Sequence, residues 1–342
     1  MHREDREKLN VQSVAEIRAA RAVITGVRGR AAGIAAPEQI ELREVEFREP
    51  VAGEVRVRIE GCGVCASNVP VWEGKPWFEY PLEAGAPGHE AWGYVDALGD
   101  GVTDLAKGDR VALLSSHAFA AYDFAIASQV VQLPPDLNDQ PAPAEALGCA
   151  VNIFRRSVIA AGQTVAIIGI GFLGTLLTQL AANVGARVFA ISRRQSSLKL
   201  AERFGAAVTV ETARARETIK QLTQHRGCDC VIEAAGTQAS LDLATELTSE
   251  RGRLVIAGYH QDAPRTVDMQ TWNWRGLDVI NAHEREPQIY VAGMRGAIEA
   301  MQSGVLNPLP LYTHTFALDE LPRAFETVAE SPEGFVKALI II

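Results

Sequence analysis

The sequence predicts an α/β protein in which a doubly wound parallel sheet is inserted between two parts of a strand-rich domain. Three stretches carry that expectation. Residues 164–194 read as strand, glycine turn, helix and strand; residues 22–133 hold short alternating strands; β-prone sequence resumes after Phe316. At 342 residues the chain is long enough for two cores.

The central unit comes first because the others are placed around it. Apolar residues 165–168 run into Gly169-Ile170-Gly171-Phe172-Leu173-Gly174. Leu176, Leu177, Leu180 and Val184 are then spaced for one buried helical face, Gly185 stops the helix, and 187–191 is a second buried strand. Gly169 permits the tight turn, Gly171 lets the backbone approach a pyrophosphate, and Gly174 allows close helix–strand contact. The pyrophosphate would sit over the free N–H groups of the helix start, where Phe172 and Leu173 lie. A nicotinamide-type dinucleotide site is expected here; a glycine turn in some other βαβ unit is the competing reading.

Composition is that of an ordinary soluble protein, 47% hydrophobic and 22% charged, with mean hydropathy +0.02. The net charge of -9 argues against nucleic acid as the main partner. There is no apolar run of membrane-spanning length, and MHREDREKLN lacks the apolar stretch of a secretory signal. Five cysteines without an even-spaced framework suit a reducing compartment, so the expected location is the cytoplasm. Residues 1–21 form a charged leader, either a surface helix from Val14 onward or a flexible arm, with no catalytic role.

In the strand-rich part, 40–47 alternates around charged residues, and 54–60 alternates with its apolar residues on one face. Further strands are expected at 91–98 and 109–114, with Gly-Asp and Lys-Gly-Asp turns between. Such a run predicts a compact barrel or strongly curved sheet. Two places in it carry donor chemistry: Gly61-Cys62-Gly63-Val64-Cys65-Ala66-Ser67-Asn68 and Gly88-His89-Glu90. Thiolate and imidazole are good zinc donors, and a neighbouring carboxylate can complete the shell or control a bound water. On spacing alone, buried small cysteines and a loop hydrogen-bonding pair explain these residues equally well.

The ordered combination of motifs resolves that choice. Gly63-Val64-Cys65-Ala66-Ser67-Asn68, Gly88-His89-Glu90-Ala91-Trp92-Gly93, the stretch 102–111 and Gly169 to Gly174 together make residues 22–342 resemble a medium-chain dehydrogenase of the zinc-dependent alcohol, polyol and threonine dehydrogenase group. The resemblance implies a Rossmann cofactor domain inserted into a GroES-like catalytic domain. It implies that Cys65 and His89 are catalytic zinc ligands, with Glu90 the adjacent carboxylate and Ser67 the hydroxyl that takes the substrate proton. The chain departs from the pattern at Asn68, where the family has an aspartate set against the zinc histidine; the amide oxygen is expected to accept from His89 without the negative charge. It departs again at Pro70, where the alcohol-dehydrogenase type has the outer histidine of a proton relay. Residues 113–132 contain no cysteine, so the four-cysteine structural zinc lobe is absent and one metal ion per chain is expected.

The third ligand lies in 144–151, which begins a helix. Glu145 and Cys149 are both acceptable donors. Polyol dehydrogenases carry a Glu-Pro-Leu segment seventeen residues before the glycine of the strand entry; Glu145-Ala146-Leu147 stands seventeen residues before Gly162, with Ala146 in place of proline. Register therefore favours Glu145, and Cys149 stays as the alternative.

Beyond the central unit, a helix at 197–204, a strand at 207–210, a helix from 213 to 225, a strand at 230–236, a helix at 241–247 and strands at 252–258 and 277–281 complete the doubly wound sheet. Cys228 and Cys230 read as core. The second strand ends in Ser192-Arg193-Arg194 rather than the carboxylate of many NAD sites. A hydroxyl and two guanidinium groups suit a 2′-phosphate, so NADP is favoured over NAD, a solvent-facing basic turn being the alternative. His283-Glu284-Arg285-Glu286 is a polar connecting loop; 289–301 is a helix, Phe316 to Phe325 the closing turn and helix, and 336–342 a final strand. Trp272, Trp274 and Tyr290 line a substrate or subunit surface or pack in the core. The chain thus divides into the leader 1–21, a first catalytic part 22–150, a dinucleotide-binding domain 151–288 and a return to the catalytic domain at 289–342.

The expected activity is reversible oxidation of a secondary alcohol or polyol to a ketone, with one zinc ion per chain as Lewis acid and NADP or NAD receiving the hydride. The family resemblance adds a homodimer or homotetramer. A zinc-free quinone or enone reductase on the same scaffold, and a non-catalytic cofactor-binding protein, are the alternatives.

Overall fold

The computed structural model describes residues 26–260 and 262–342. The helix expected from Val14 lies outside them. In the first part, β1 (Val27–Ala36) and β2 (Gln39–Phe47) form a hairpin, followed by β3 (Glu54–Val64), α1 (Val69–Trp72), β4 (Glu90–Leu98), β5 (Arg110–Leu114), β6 (Tyr122–Ile126) and β7 (Val130–Gln132). Helix α2 (Ala144–Ser157) leads into the nucleotide domain and runs through the 150/151 division expected from sequence.

The nucleotide domain runs β8 (Thr164–Ile168), α3 (Phe172–Asn183), β9 (Arg187–Ser192), α4 (Gln195–Arg203), β10 (Val208–Glu211), α5 (Ala215–Leu222), β11 (Cys228–Glu233), α6 (Gln238–Leu247), β12 (Thr248–Ile256), α7 (Met269–Arg275) and β13 (Asp278–Asn281). Its six strands are parallel in the order β10-β9-β8-β11-β12-β13. That order reverses direction between β8 and β11, which opens a crevice at their carboxyl ends where ligands of such sheets bind. Strands β8 and β11 are buried on both faces, and both are apolar along most of their length.

The chain then returns. Helix α8 (Pro287–Gln302) packs on α2, and β14 (Tyr312–Ala317), α9 (Leu321–Glu330) and β15 (Lys337–Ile341) complete the fold. Strand β15 pairs antiparallel with β3, Leu339 opposite Gly63, so the last strand is interior to the first domain's sheet, ordered β14-β15-β3-β4-β5-β7. One core holds Val57, Ile59, Val111 and Phe119 from the first part together with Phe316, Phe325 and Ile340 from the last. The sheet curves because β3 is long and bulged: its first half pairs with β6 and its second half with β15, while β4 runs along the other side. No helix among the described residues is long and apolar enough to cross a membrane.

Candidate active site

Strand β3 delivers Gly63, Val64 and Cys65 to the edge of the interdomain cleft, and a helical turn follows at Ala66–Asn68. Asn68 is buried and holds this turn from inside. Its Oδ1 accepts from the Cys65 N–H at 3.1 Å, and its Nδ2 donates to the Pro87 carbonyl at 3.1 Å. Those two partners fix the orientation of the amide, because one is a donor and the other an acceptor. The expected bond from His89 to the Asn68 oxygen is therefore not made. His89 Nδ1 instead donates to Pro87 O at 2.9 Å, with Asn68 Nδ2 3.5 Å away. The ring is oriented all the same: Nδ1 donates its proton to Pro87 O, and Nε2 is the ring atom that could hold a metal ion. Pro70 sits in the first turn of α1, where a missing N–H costs nothing.

Glu90 opens β4 and is 1% exposed. Opposite it in the ladder stands Gly63, where a Cβ would lie 1.9 Å from Glu90 Oε2. The second glycine of the cysteine motif is thus the space for the carboxylate. Lys337, at the start of β15, places Nζ 2.6 Å from Glu90 Oε1 and 2.5 Å from Oε2. Only the first contact has hydrogen-bond geometry, so Oε2 is sealed from solvent without a hydrogen-bond partner. Lys337 itself is 5% exposed. Burial acts against its charge, but Glu90, Cys65 and Glu145 outweigh burial and raise its pKa. The same Nζ lies 5.0 Å from the centre of the Phe172 ring, in the glycine turn of the other domain.

Ligand atoms of Cys65, His89 and Glu90 lie within 4.8 Å of one another, the one such group of three among the described residues. Burial disfavours a charged His89, yet the Cys65 sulfur beside it takes the pKa up to about 10. A cysteine sulfur and an imidazole brought together beside a buried carboxylate form a donor set that fits zinc. Glu145, expected as the third ligand, stands outside this cluster. It is near enough for its charge to act on His89, and it accepts from Cys149 Sγ at 3.2 Å, one turn further along α2. Burial raises the pKa of Glu145 and of Cys149, the latter well above the ordinary thiol range. Ser67 is half-buried between Cys65 and Asn68.

Across the cleft, the glycine turn is shaped as expected. Gly169 has φ 96°, and a Cβ there would lie 2.9 Å from the Ala234 carbonyl carbon and from Ala235. Gly174 packs so closely that a Cβ would meet Gly169 O at 2.0 Å. Gly171 has nothing within 4 Å of its absent Cβ. It therefore leaves open space in front of the first N–H groups of α3, Phe172 and Leu173 included, which fits a pyrophosphate. At the end of β9, Ser192 is buried and its Oγ accepts from the Arg194 N–H at 3.3 Å. Arg193 is exposed. Arg194 turns towards the returning chain, Nη1 donating to Ser331 Oγ at 2.8 Å and to Phe335 O at 3.2 Å.

Two groups escaped the sequence reading. Lys337 is one; its only signal is a cation at the start of an otherwise apolar strand. Glu233 is the other, fully buried at the carboxyl end of β11. Its Oε1 accepts from the N–H groups of Ala235 and Gly236, and Oε2 accepts from His260 Nε2 at 2.9 Å. Arg265 Nε donates to His260 Nδ1 at 2.8 Å, which fixes that ring's tautomer. Beside them lies a cavity of about 250 Å³ lined by Tyr259, His260, Asn281, His283 and Arg285. Of the three aromatics, Trp272 is anchored on Thr245 Oγ1 at 3.0 Å, Tyr290 donates to Glu284 O at 3.1 Å, and Trp274 is 89% exposed.

A doubly wound nucleotide-binding sheet facing a Cys–His–Glu cluster in a curved-sheet domain defines a metal-binding dehydrogenase architecture. Residues 51–132 match the alcohol dehydrogenase GroES-like domain and residues 173–298 the zinc-binding dehydrogenase domain. The erythritol/L-threitol dehydrogenase of Mycolicibacterium smegmatis is 30% identical over 89% of this chain and 95% of its own length. The 2-dehydro-3-deoxy-L-galactonate 5-dehydrogenase of Pseudoalteromonas atlantica is 26% identical over 85% and 92%. Among solved structures, a zinc-binding dehydrogenase of Sinorhizobium meliloti bound to NADP superposes with TM-score 0.80 at 26% identity, covering 92% of this chain and all of that one. The chain belongs to the medium-chain zinc-dependent dehydrogenase family, whose cofactors are zinc and a nicotinamide dinucleotide.

Proposed function

We propose that this protein is a zinc-dependent oxidoreductase that interconverts a secondary alcohol or polyol and its ketone, with NADP favoured over NAD. The observation that carries the proposal is the convergence of Cys65, His89 and Glu90 on one point at the mouth of the cleft that faces the glycine turn. The polyol dehydrogenases among the relatives support the substrate class.

In this reading Cys65 and His89 hold the ion and Glu145 is the third protein ligand, with Cys149 the competing donor. When bound, zinc supplies Lewis acidity and the nicotinamide accepts or returns hydride. Asn68 fixes the Cys65 backbone, and Pro87 O holds the His89 ring so that Nε2 faces the ion. Lys337 pairs with the Glu90 carboxylate and holds it in place, where it can approach the ion or hold a water. Ser67 takes the substrate hydroxyl proton and passes it outward to solvent. Gly169, Gly171, Phe172, Leu173 and Gly174 seat the pyrophosphate, and Ser192, Arg193 and Arg194 form the adenosine end. The division at residues 22–150, 151–288 and 289–342, a homo-oligomer and a cytoplasmic location suited to five free cysteines complete the proposal.

The test combines metal analysis with turnover of sugars, cyclitols, amino alcohols and simple secondary alcohols. One zinc per chain with NADP-linked oxidation of a polyol is expected. Metal-independent reduction of quinones or enones would instead establish the zinc-free reductase, and cofactor binding without turnover a non-catalytic protein. Direct titration of purified protein is expected to show tighter binding of NADPH than of NADH, reduced when Arg193 and Arg194 are both replaced by Ala; equal binding, or an NADH preference, sinks the cofactor assignment.

A further inference from the structure

The loop 331–335 between α9 and β15 leaves the catalytic domain and fastens onto the nucleotide domain at the carboxyl end of β9. Besides the Arg194 bonds to Ser331 and Phe335, Ser196 N, in the first turn of α4, donates to Glu333 Oε1 at 2.9 Å. Ser331 with φ 45° and Gly334 with φ 86° bend the loop on either side of the glutamate.

The charges around this contact are unequal. Glu333 is in the field of Arg194 and Lys199, and Arg194 in turn feels Glu333 and Arg193. The hydroxyl and N–H of Ser196, reinforced by those cations, hold the Glu333 carboxyl below the usual carboxylate range, so it is charged at neutral pH. A further carboxylate next to this turn is Glu211, opposite Ser192 in the β9–β10 register, and it is taken up by Gln195 Nε2. A site that prefers the unphosphorylated adenosine ribose has a carboxylate at the end of its second strand, where it accepts from the ribose hydroxyls. This chain has Ser192 at that place, and the returning loop brings a carboxylate to the same turn from the other domain.

We propose that Glu333 is a determinant of cofactor choice, supplied by the catalytic domain: its carboxylate lies where an adenosine 2′-phosphate would gather Ser196, Arg193 and Arg194, and it opposes NADP(H) relative to NAD(H). The proposal rests on the assignment of Ser192, Arg193 and Arg194 to the adenosine ribose. The preference of the wild-type protein is then the balance of two arginines against one glutamate. Because the contact is exposed, its effect is screened by salt.

The experiment is fluorescence titration of the full-length protein with NADPH and with NADH, for wild type, Glu333→Gln and Glu333→Ala, in low and high NaCl. Glu333→Gln keeps an oxygen for the Ser196 N–H and removes only the charge. The NADPH/NADH affinity ratio is expected to rise about fivefold, the size of one exposed charge contact, mainly through tighter NADPH, and the rise is expected to shrink at high salt. A glutamate that merely fastens the loop would weaken both cofactors together in Glu333→Ala and leave the ratio within twofold in Glu333→Gln; that result, or a ratio moving towards NADH, overturns the proposal. Thermal unfolding of each variant confirms that folded protein was compared. The wild-type ratio alone tests NADP preference, so an NADH-preferring wild type whose Gln variant shifts towards NADPH refutes that preference and leaves the role of Glu333 standing.

Discussion

Asn68 stands where the resemblance led one to expect an aspartate, and its surroundings explain how the turn keeps its shape. An aspartate offers only acceptors, whereas Asn68 meets one donor, the Cys65 N–H, and one acceptor, the Pro87 carbonyl. His89 is then oriented by the same carbonyl rather than by a carboxylate. That Cys65, His89 and Glu90 come together was expected from the family resemblance, since their spacing alone left the choice open. Their partners were not, because Pro87 acts through its backbone and Lys337 lies 247 positions from Glu90. The contest between Glu145 and Cys149 is best decided by substitution. Glu145→Ala is expected to lower zinc retention after dialysis and turnover together, while Cys149→Ala keeps both and tests packing; an empty site in Cys149→Ala with an unaffected Glu145→Ala reverses the assignment. Lys337→Ala is expected to destabilise the metal-free protein by about 3–5 kcal/mol, because it leaves Glu90 buried without its counter-charge. Urea unfolding measures this, and a loss below about 1 kcal/mol would show that water reaches the carboxylate.

At the level of elements, the strands and helices of the nucleotide domain fall close to their expected positions because each carries its own period. Strand β12 begins at Thr248, four residues before the start expected at 252, since residues 248–251 are all polar and lack the apolar signature, although Thr248 itself is buried. Helix α7 carries no apolar period, because none of its residues is buried; its signals are the boundary residues, Asp268, which caps it by accepting from Thr271 N at 2.9 Å, and Gly276 after its last turn. Helices α2 and α8 meet at glycines instead of large side chains. A Cβ at Gly148 would stand 2.6 Å from Met294 N, and one at Gly293 would stand 2.7 Å from Gly148 O. Neither glycine is marked by a turn, so the pairing of these helices could not be read from pattern. Gly148→Ala is expected to push α8 outward and cost about 1–3 kcal/mol of stability, visible as a lower melting temperature. An unchanged melting temperature would mean that the helix backbones slide apart freely.

For the whole molecule, the inserted topology follows from β15 lying between β14 and β3 rather than at an edge. Sequence supported this through the β-prone run at 336–342, but which strand it joins depends on contacts between distant segments. A protein truncated after residue 336 is expected to lose the catalytic domain's cooperative unfolding while the nucleotide domain still binds an adenine nucleotide. A truncated protein that retains both the full unfolding enthalpy and zinc would contradict the shared sheet.

The position of β15 also sets an order of events during synthesis. Translation proceeds from the amino terminus at about 5–20 residues per second, and domains fold as they are completed. The nucleotide-binding sheet has all its strands once Asn281 has been made, whereas the catalytic sheet waits for β15. Until then Cys65, His89 and Glu90 belong to an open sheet whose β3 lacks a neighbour and whose buried carboxylate lacks Lys337. The surroundings of Cys65, His89 and Glu90 are therefore expected to be completed last, against a nucleotide domain whose strands have all been made.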